Sequence, residues 1–73
     1  MRKLPPLKSR EITRVLEKMG FKEHRQKGSH KIFKKENLRV TVPIHNRDLK
    51  KGTIRSIVGQ SGSTEDEFLE LLK

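Results

Sequence analysis

A histidine that directly follows a Gly-Ser pair, with basic side chains on both sides, has the clearest chemical potential in this sequence. The stretch is RQKGSHKIF, residues 25–33, and the histidine is His30. A free imidazole titrates at about 6.5, so it can take up or release a proton near neutral pH. On bound RNA, neutral His30 could remove the proton of a 2′-OH, whose oxygen then attacks the adjacent phosphorus. His30 is therefore the candidate catalytic residue, acting as general acid/base.

The neighbours of His30 could hold the phosphate that it would act on. A glycine permits a tight turn and a close approach of a ligand to the main chain, and a serine adds a hydroxyl and a backbone N–H. Cations would offset the charge that develops on the non-bridging oxygens. The predicted phosphate-binding residues of this segment are Arg25, Lys27, Gly28, Ser29 and Lys31. The simpler alternative is that His30 is a solvated residue or only contacts a phosphate.

The other two histidines are weaker candidates. His45 follows Pro43 in the loop VPIHNRDLKKG and could supply the acid that the leaving group needs, or contact the RNA backbone. The alternative is a polar loop residue or a cap of the following helix. His24 lies among charged residues on a predicted strand, and no role is assigned to it.

A second group of cations, Lys50, Lys51 and Arg55, lies at the predicted start of the second helix. These side chains could follow a phosphate backbone beside the N–H groups of the helix N-terminus, or they could simply be solvated. The chain has no Trp or Tyr, and Phe33 is the only aromatic residue expected within the basic face. Contacts to RNA backbone and shape are therefore expected, rather than base stacking.

No metal or other cofactor is predicted. The acids of the first 60 residues are scattered along the chain, so a carboxylate cluster for two-metal hydrolysis is not expected. The absence of cysteine excludes disulfides and thiolate metal sites.

The charge of the chain favours a polyanionic partner. The 73 residues carry a net charge of +9, with 12 Lys/Arg against 3 acids in residues 1–35 and 1 against 4 in residues 60–73. A basic body of this kind attracts nucleic acid by non-specific electrostatics. No apolar run approaches the roughly 20 residues of a membrane span, and MRKLPPLKSR has no apolar stretch typical of a signal peptide. A cytoplasmic protein is expected.

Apolar spacing predicts a helix followed by three strands. Ser9 is the predicted N-cap of a helix whose apolar residues recur at i, i+3, i+4 and i+7, and which ends at Gly20. Strands are predicted over residues 21–26, 30–34 and 38–42, with turns at 27–29 and 35–37. Pro43 ends the third strand because it cannot donate a ladder hydrogen bond.

Two further helices are predicted after the strands. The second begins at Thr53 and is broken by Gly59. The last begins at Ser63 or Thr64 with a capping box to Asp66 or Glu67. This order predicts an α+β fold in two layers, an antiparallel three-stranded sheet with helices on one face, in a single domain over residues 1–73.

An ordered set of short motifs carries a resemblance that covers the chain from about Lys8 to its end. They are Gly20-Phe21, Gly28-Ser29-His30 with Phe33, Val40-Thr41-Val42-Pro43 with His45, Lys51-Gly52-Thr53 with Ile54, Arg55, Ile57 and the Gly62 region, and Phe68-Leu69 in a short acidic helix. In this order they resemble the HicA-type toxins of prokaryotic toxin–antitoxin pairs.

The resemblance implies a double-stranded-RNA-binding-domain-like fold of α-β-β-β-α order and a ribonuclease that cuts mRNA without needing the ribosome. It implies His30 as the catalytic histidine. It also implies a HicB-type antitoxin that covers the toxin and its histidine, in a complex that assembles further.

Three hypotheses follow. The chain is an endoribonuclease toxin acting through His30, a non-catalytic double-stranded RNA-binding module that uses the same basic face, or a small interaction domain whose charge serves solubility or an acidic protein partner. Steep salt dependence of binding would favour the two nucleic-acid hypotheses over the third.

Overall fold

The structure, a computed structural model, describes residues 5–44 and 47–72, and these form three helices and one antiparallel sheet of three strands. The strands pair in the order β1-β2-β3. Along the chain the elements are α1 (Ser9–Lys18), β1 (Lys22–Lys27), β2 (His30–Lys35), β3 (Leu38–Pro43), α2 (Lys51–Gln60) and α3 (Glu65–Glu70). The predicted α+β fold is therefore confirmed.

One face of the sheet and the apolar sides of the helices form the core. The buried apolar residues of α1 and α2 recur at the three- and four-residue spacing of one helix face, as predicted for α1. The sheet contributes Phe33 from β2 and two alternate residues of β3, while Leu38 on the same face stays 37% exposed at the strand's start. The fully buried side chains are Ile12, Val15, Leu16, Phe33, Val40, Val42, Ile54, Ile57 and Phe68.

The start of α1 differs by one residue from the prediction. Lys8 is the N-cap, and the Lys8 backbone N–H donates to Glu11 Oε1 at 3.0 Å. Ser9 is the first helical residue and is buried, and its Oγ donates to the carbonyl oxygen of Pro43 at 2.6 Å. The predicted cap is wrong because the hydroxyl makes a tertiary contact, which local spacing does not encode.

The end of α1 follows the prediction. Gly20 has φ +101°, a conformation that L side chains rarely adopt. The Phe21 N–H donates to the Leu16 carbonyl at 2.9 Å, and the Gly20 N–H donates to the Glu17 carbonyl at 3.0 Å. These are the two hydrogen bonds of a Schellman motif, and Phe21 and Leu16 both lie in the core. The motif turns the chain from the helix layer into the sheet.

A bulge in β1 changes which side chains share a face. Glu23 lies opposite Phe33 and Arg25 lies opposite Ile32, so His24 is an extra residue on β1. Without the bulge, alternation would place Arg25 on the same face as Glu23. With it, three cations of β1 lie on one face: Lys22, Arg25 and Lys27.

The β1–β2 turn is a two-residue connection, Gly28-Ser29, closed by the pair of Lys27 and His30. Gly28 has φ +59° and Ser29 has a negative φ, which is the combination of a type II′ turn. This turn type matches the twist of antiparallel strands, so the geometry of the turn is sufficient to explain a glycine at position 28.

The predicted start of the second helix is wrong, and the predicted capping box of the last helix is confirmed. Lys50 is the N-cap of α2, so the helix begins before Thr53, and it continues through Gly59 to Gln60. The earlier start follows the bridge in which the Leu49 N–H donates to the Leu7 carbonyl at 2.8 Å, which fixes the chain just ahead of the helix.

For α3, the predicted capping box is present. The Glu67 N–H donates to Thr64 Oγ1 at 3.1 Å, and the Thr64 N–H donates to Glu67 Oε1 at 2.8 Å. Within residues 5–44 and 47–72, no helix has the length and hydrophobicity needed to cross a bilayer.

Candidate nucleic-acid interface

The sheet face opposite the helices carries most of the basic side chains of the strands. Directly paired residues of antiparallel strands point to the same face, so the register defines three rows across the sheet. From the β1–β2 turn outward, the rows are Lys27–His30–Pro43, Arg25–Ile32–Thr41 and Lys22–Lys34–Arg39. We call these nine residues the open face. Five of them are Lys or Arg, and none is acidic.

His30 is the first residue of the central strand and is exposed on the open face. Lys27 lies directly opposite on one side and Pro43 on the other. A proline ring has no donor or charge, so the basic neighbour of the imidazole within this row is Lys27. The imidazole is thus presented to solvent at one end of the sheet, beside an ammonium group.

Two hydrogen bonds fix the backbone around His30. The Ile44 N–H donates to the Ser29 carbonyl at 2.6 Å, which extends the β2–β3 ladder past the histidine. The Pro43 nitrogen, one residue earlier, therefore faces away from β2, where its missing N–H costs no ladder bond. On that outer side the Pro43 carbonyl accepts the bond from Ser9 at 2.6 Å. Helix α1 and strand β3 together hold the strand end that presents His30.

Four of the five predicted phosphate-binding neighbours lie with His30. Arg25 and Lys27 share the open face with it, and Gly28 and Ser29 form the adjoining turn. Lys31 does not, because it follows His30 on the strand and points to the helix side. There its Nζ lies 3.3 Å from Glu23 Oε1 in a half-exposed ion pair.

The second predicted group of cations lies beyond Pro43. An open depression of about 590 Å³ is lined by Pro43, Arg47, Asp48, Leu49, Lys50 and Thr53. Pro43 also belongs to the row of His30, so Lys50 lines a depression that borders the open face. Lys51 is exposed at the start of α2. Arg55 is paired with Glu65, with Nε 3.7 Å from Oε2.

The expectation for Phe33 is wrong. Its side chain is only 1% exposed and lies in the core, because alternation along β2 places residue 33 on the side of the sheet that faces the helices. The open face has no Phe, and its apolar side chain on the central strand is the half-buried Ile32. This surface offers positive charge rather than a stacking platform.

The structure gives no position near His30 for either of the other two histidines. His45 lies outside the described residues, and His24 is the exposed extra residue of the β1 bulge. Within residues 5–44 and 47–72, no group of three His, Cys, Asp or Glu side chains could hold a metal ion.

Sequence reasoning missed one row of the open face. Its members are Lys22, Lys34 and Arg39. Lys22 lies 12 residues before Lys34, across a bulge and a turn, and Arg39 lies five residues after Lys34, across the β2–β3 turn. The one signal in the sequence is the high frequency of Lys and Arg between positions 22 and 39. That signal does not specify a face.

A helix, a three-stranded antiparallel meander with an exposed basic face, and two further helices define the class as a small α+β domain with an open sheet. The family described as HicA toxin of bacterial toxin-antitoxin matches residues 9–63, which is more than half of the chain. The chain therefore belongs to the HicA toxin family, and the predicted resemblance is confirmed. Membership implies an antitoxin partner. No curated protein matches the chain closely.

Proposed function

We propose that this toxin is an endoribonuclease that cuts mRNA in the cytoplasm, using His30 as general acid/base, and that a HicB-type antitoxin inhibits it. The observation that carries the proposal is the placement of an exposed imidazole at the start of the central strand, on a sheet face with five cations and no acid. RNA bound to this face would bring its phosphodiester backbone to the imidazole.

The chemistry begins with deprotonation of a ribose. Neutral His30 takes the proton of the 2′-OH, and the 2′-oxygen forms a bond to the adjacent phosphorus as the bond to the 5′-oxygen breaks. The products are a 2′,3′-cyclic phosphate and a 5′-OH. Lys27 and Arg25 stabilise the charge that develops on the non-bridging oxygens. This route requires no metal ion.

The leaving 5′-oxygen needs a proton, and we assign this role to His45. The residue before it, Ile44, is hydrogen-bonded to Ser29, the residue before His30. The chain thus enters the segment containing His45 from the strand end that presents the first histidine. A second acid is required because one imidazole that has just accepted a proton cannot serve a distant oxygen as well.

The other predicted contacts act on the RNA backbone. Gly28 and Ser29 offer main-chain N–H groups at the turn, and Lys50 and Lys51 extend the basic surface beyond Pro43. Lys31 and Arg55 would first have to leave their acidic partners. The side chains of both ion pairs are between 31% and 64% exposed, so separating them costs little, on the order of 1 kcal/mol or less.

The same geometry supports the proposed inhibition by the antitoxin. A HicB-type partner that places acidic side chains against the open face would cover His30 and compete with RNA for the same cations. Further assembly of the complex through the antitoxin is part of this proposal.

Cleavage of a defined RNA in the presence of a chelator tests the nuclease function. We expect wild type to cut and His30→Ala to be inactive, whereas His24→Ala, a matched change on the neighbouring strand, should retain activity. Products should carry 2′,3′-cyclic phosphate ends. Equal cleavage by wild type and His30→Ala would refute the role of the histidine, and 3′-OH ends would refute attack by the 2′-oxygen.

The double-stranded-RNA-binding-domain-like order of elements favours one alternative, a non-catalytic RNA-binding module. That function predicts a different result in the same assay. Wild type would bind duplex RNA in a salt-dependent manner and leave every RNA intact.

A further inference from the structure

The third row of the open face consists of three cations, Lys22, Lys34 and Arg39, which we call the cation row. They lie directly opposite one another on the three strands. Lys22 and Arg39 are exposed, and Lys34 is half-buried. Among the described residues, none of the three forms an ion pair.

This arrangement costs stability. Side chains directly opposite one another across antiparallel strands have Cβ atoms about 4.5–5.5 Å apart, and like charges at this distance are destabilising. The helix side of the sheet is arranged differently. There Lys31 pairs with Glu23, and Lys35 Nζ donates to the Met19 carbonyl at the end of α1 at 2.7 Å. The cations on the helix side of the sheet therefore have an acidic or carbonyl partner, whereas those of the cation row have no acidic partner in the described part of the chain. This difference favours an anionic ligand for the cation row.

The position of the row relative to His30 indicates which part of the ligand it holds. Lys34 is four residues further along β2, on the same face, so the two Cα atoms are about 13 Å apart. This distance exceeds one phosphate-to-phosphate step of an extended RNA strand. A strand with its scissile link at His30 would therefore reach the row with a different phosphate.

We propose that the cation row is a remote phosphate subsite that binds the backbone of single-stranded RNA whose scissile link lies at His30. This inference rests on the proposed nuclease function. A single strand is favoured because in-line attack needs the 2′-oxygen, the phosphorus and the 5′-oxygen nearly collinear, which the A-form duplex does not allow. The row binds backbone and not bases, since the open face carries no Phe, Tyr or Trp.

The kinetics of two RNA substrates of different length distinguish the contribution of the subsite from that of the catalytic site. A dinucleotide has only the scissile phosphate, whereas an oligonucleotide of about eight residues can reach from His30 to the row. The variants are Lys34→Thr and Arg39→Thr, because threonine is neutral and suits a strand. The control is Arg14→Thr, which removes the same charge from the exposed surface of α1.

For the longer RNA we expect each row variant to raise KM about tenfold, as expected for loss of one charge-assisted contact. Turnover of the dinucleotide should be unchanged, and Arg14→Thr should change neither substrate beyond a small general effect of charge. Melting temperatures of the row variants should equal or exceed that of wild type, since like-charge repulsion is relieved. The loss cannot then be attributed to unfolding.

Binding of a 2′-O-methyl RNA, which cannot be cut, tests the subsite independently of catalysis. The slope of log Kd against log salt should fall by about 0.7 for each row cation removed. If wild type cuts no RNA but this slope falls, the nuclease proposal fails, while the cation row is still shown to bind RNA backbone.

Three results would overturn the subsite. They are unchanged KM and slope in both row variants, an equal loss on the dinucleotide, or an equal loss in Arg14→Thr. Row variants that bind RNA normally but bind the antitoxin weakly would assign the row to the protein partner instead.

Discussion

Two glycines with similar free space and different backbone conformations give a direct test of how the His30 turn is built. Gly28 has φ +59° and Gly59 lies in α2, and a Cβ added at either position would meet no atom within 4 Å. Replacing each by alanine therefore changes only the backbone energetics. At Gly28, the positive φ of a type II′ turn costs an L residue at least the ~1–2 kcal/mol of the left-handed helical region, and the stiffer unfolded chain returns about 0.4–1 kcal/mol of this.

The two substitutions should have opposite signs. Gly28→Ala should lower the free energy of unfolding by about 1 kcal/mol, and Gly59→Ala should raise it by about 0.5–1 kcal/mol through helix propensity. For a domain of this length, 1 kcal/mol corresponds to a shift of about 4–8 °C in Tm. Urea and thermal unfolding followed by circular dichroism measure both changes.

The double variant separates stability from catalysis. The two sites share no neighbour, so their effects should add to within about 0.5 kcal/mol, and the double variant should be about as stable as wild type. Its RNA cleavage should still be reduced, because the turn that presents His30 remains strained. A Gly28→Ala variant as stable as wild type, or a double variant with full activity, would refute this account of the turn.

Three further substitutions test the packing around the site, each by urea unfolding. Ser9→Ala should cost about 1–3 kcal/mol, because the part-buried carbonyl of Pro43 loses its donor; Thr13→Ala, which removes an exposed hydroxyl of the same helix, is the control and should cost much less. Phe33→Ala should cost about 3–5 kcal/mol and leave little folded protein, whereas Phe33→Leu should fold. Glu36→Gly should be neutral or stabilising by up to about 1 kcal/mol, since Glu36 has φ +55°, and a clear loss of stability would contradict that.

Local signals in the sequence predicted the elements whose determinants are local. The end of α1 at Gly20 and the Thr64–Glu67 capping box depend on residues within one turn of helix, and both were predicted. The predicted cap at Ser9 and the predicted helix start at Thr53 are wrong for a shared reason. Ser9 bonds to Pro43, and the start of α2 follows the bridge at Leu49, so each boundary depends on a partner distant in sequence.

The faces of the sheet could be predicted only in part. Val40 and Val42 alternate with polar residues, so their burial follows from period two. In β1 every residue is exposed, and no apolar side chain marks a face or a bulge. The extra residue at His24 could therefore not be predicted. For the same reason, the face on which Arg25 lies could not be predicted. The same gap leaves the face of Lys22, and with it the cation row, without a signal in the sequence. Lys31 is a different case, because period two along β2 places it on the face of Phe33 and not on that of His30.

The dependence of stability on salt tests whether repulsion on the open face is real. The molecule measures about 32 × 27 × 19 Å and carries a net charge of +9. The Debye length falls from about 30 Å at 0.01 M salt to about 8 Å at 0.15 M, so charges repel across the whole molecule in the first case and mainly between neighbours in the second. Tm should therefore rise over this range, while affinity for RNA falls.

The cation row should account for part of that rise. Lys34→Thr removes the central charge between Lys22 and Arg39 and should give a higher Tm at low salt and a shallower salt dependence than wild type. Arg14→Thr lowers the net charge equally without relieving a cross-strand contact, so its curve should stay closer to that of wild type. If Tm instead falls as salt is added, the ion pairs of Lys31 and Arg55 outweigh the repulsion, and the open face carries no energetic cost that a ligand must explain.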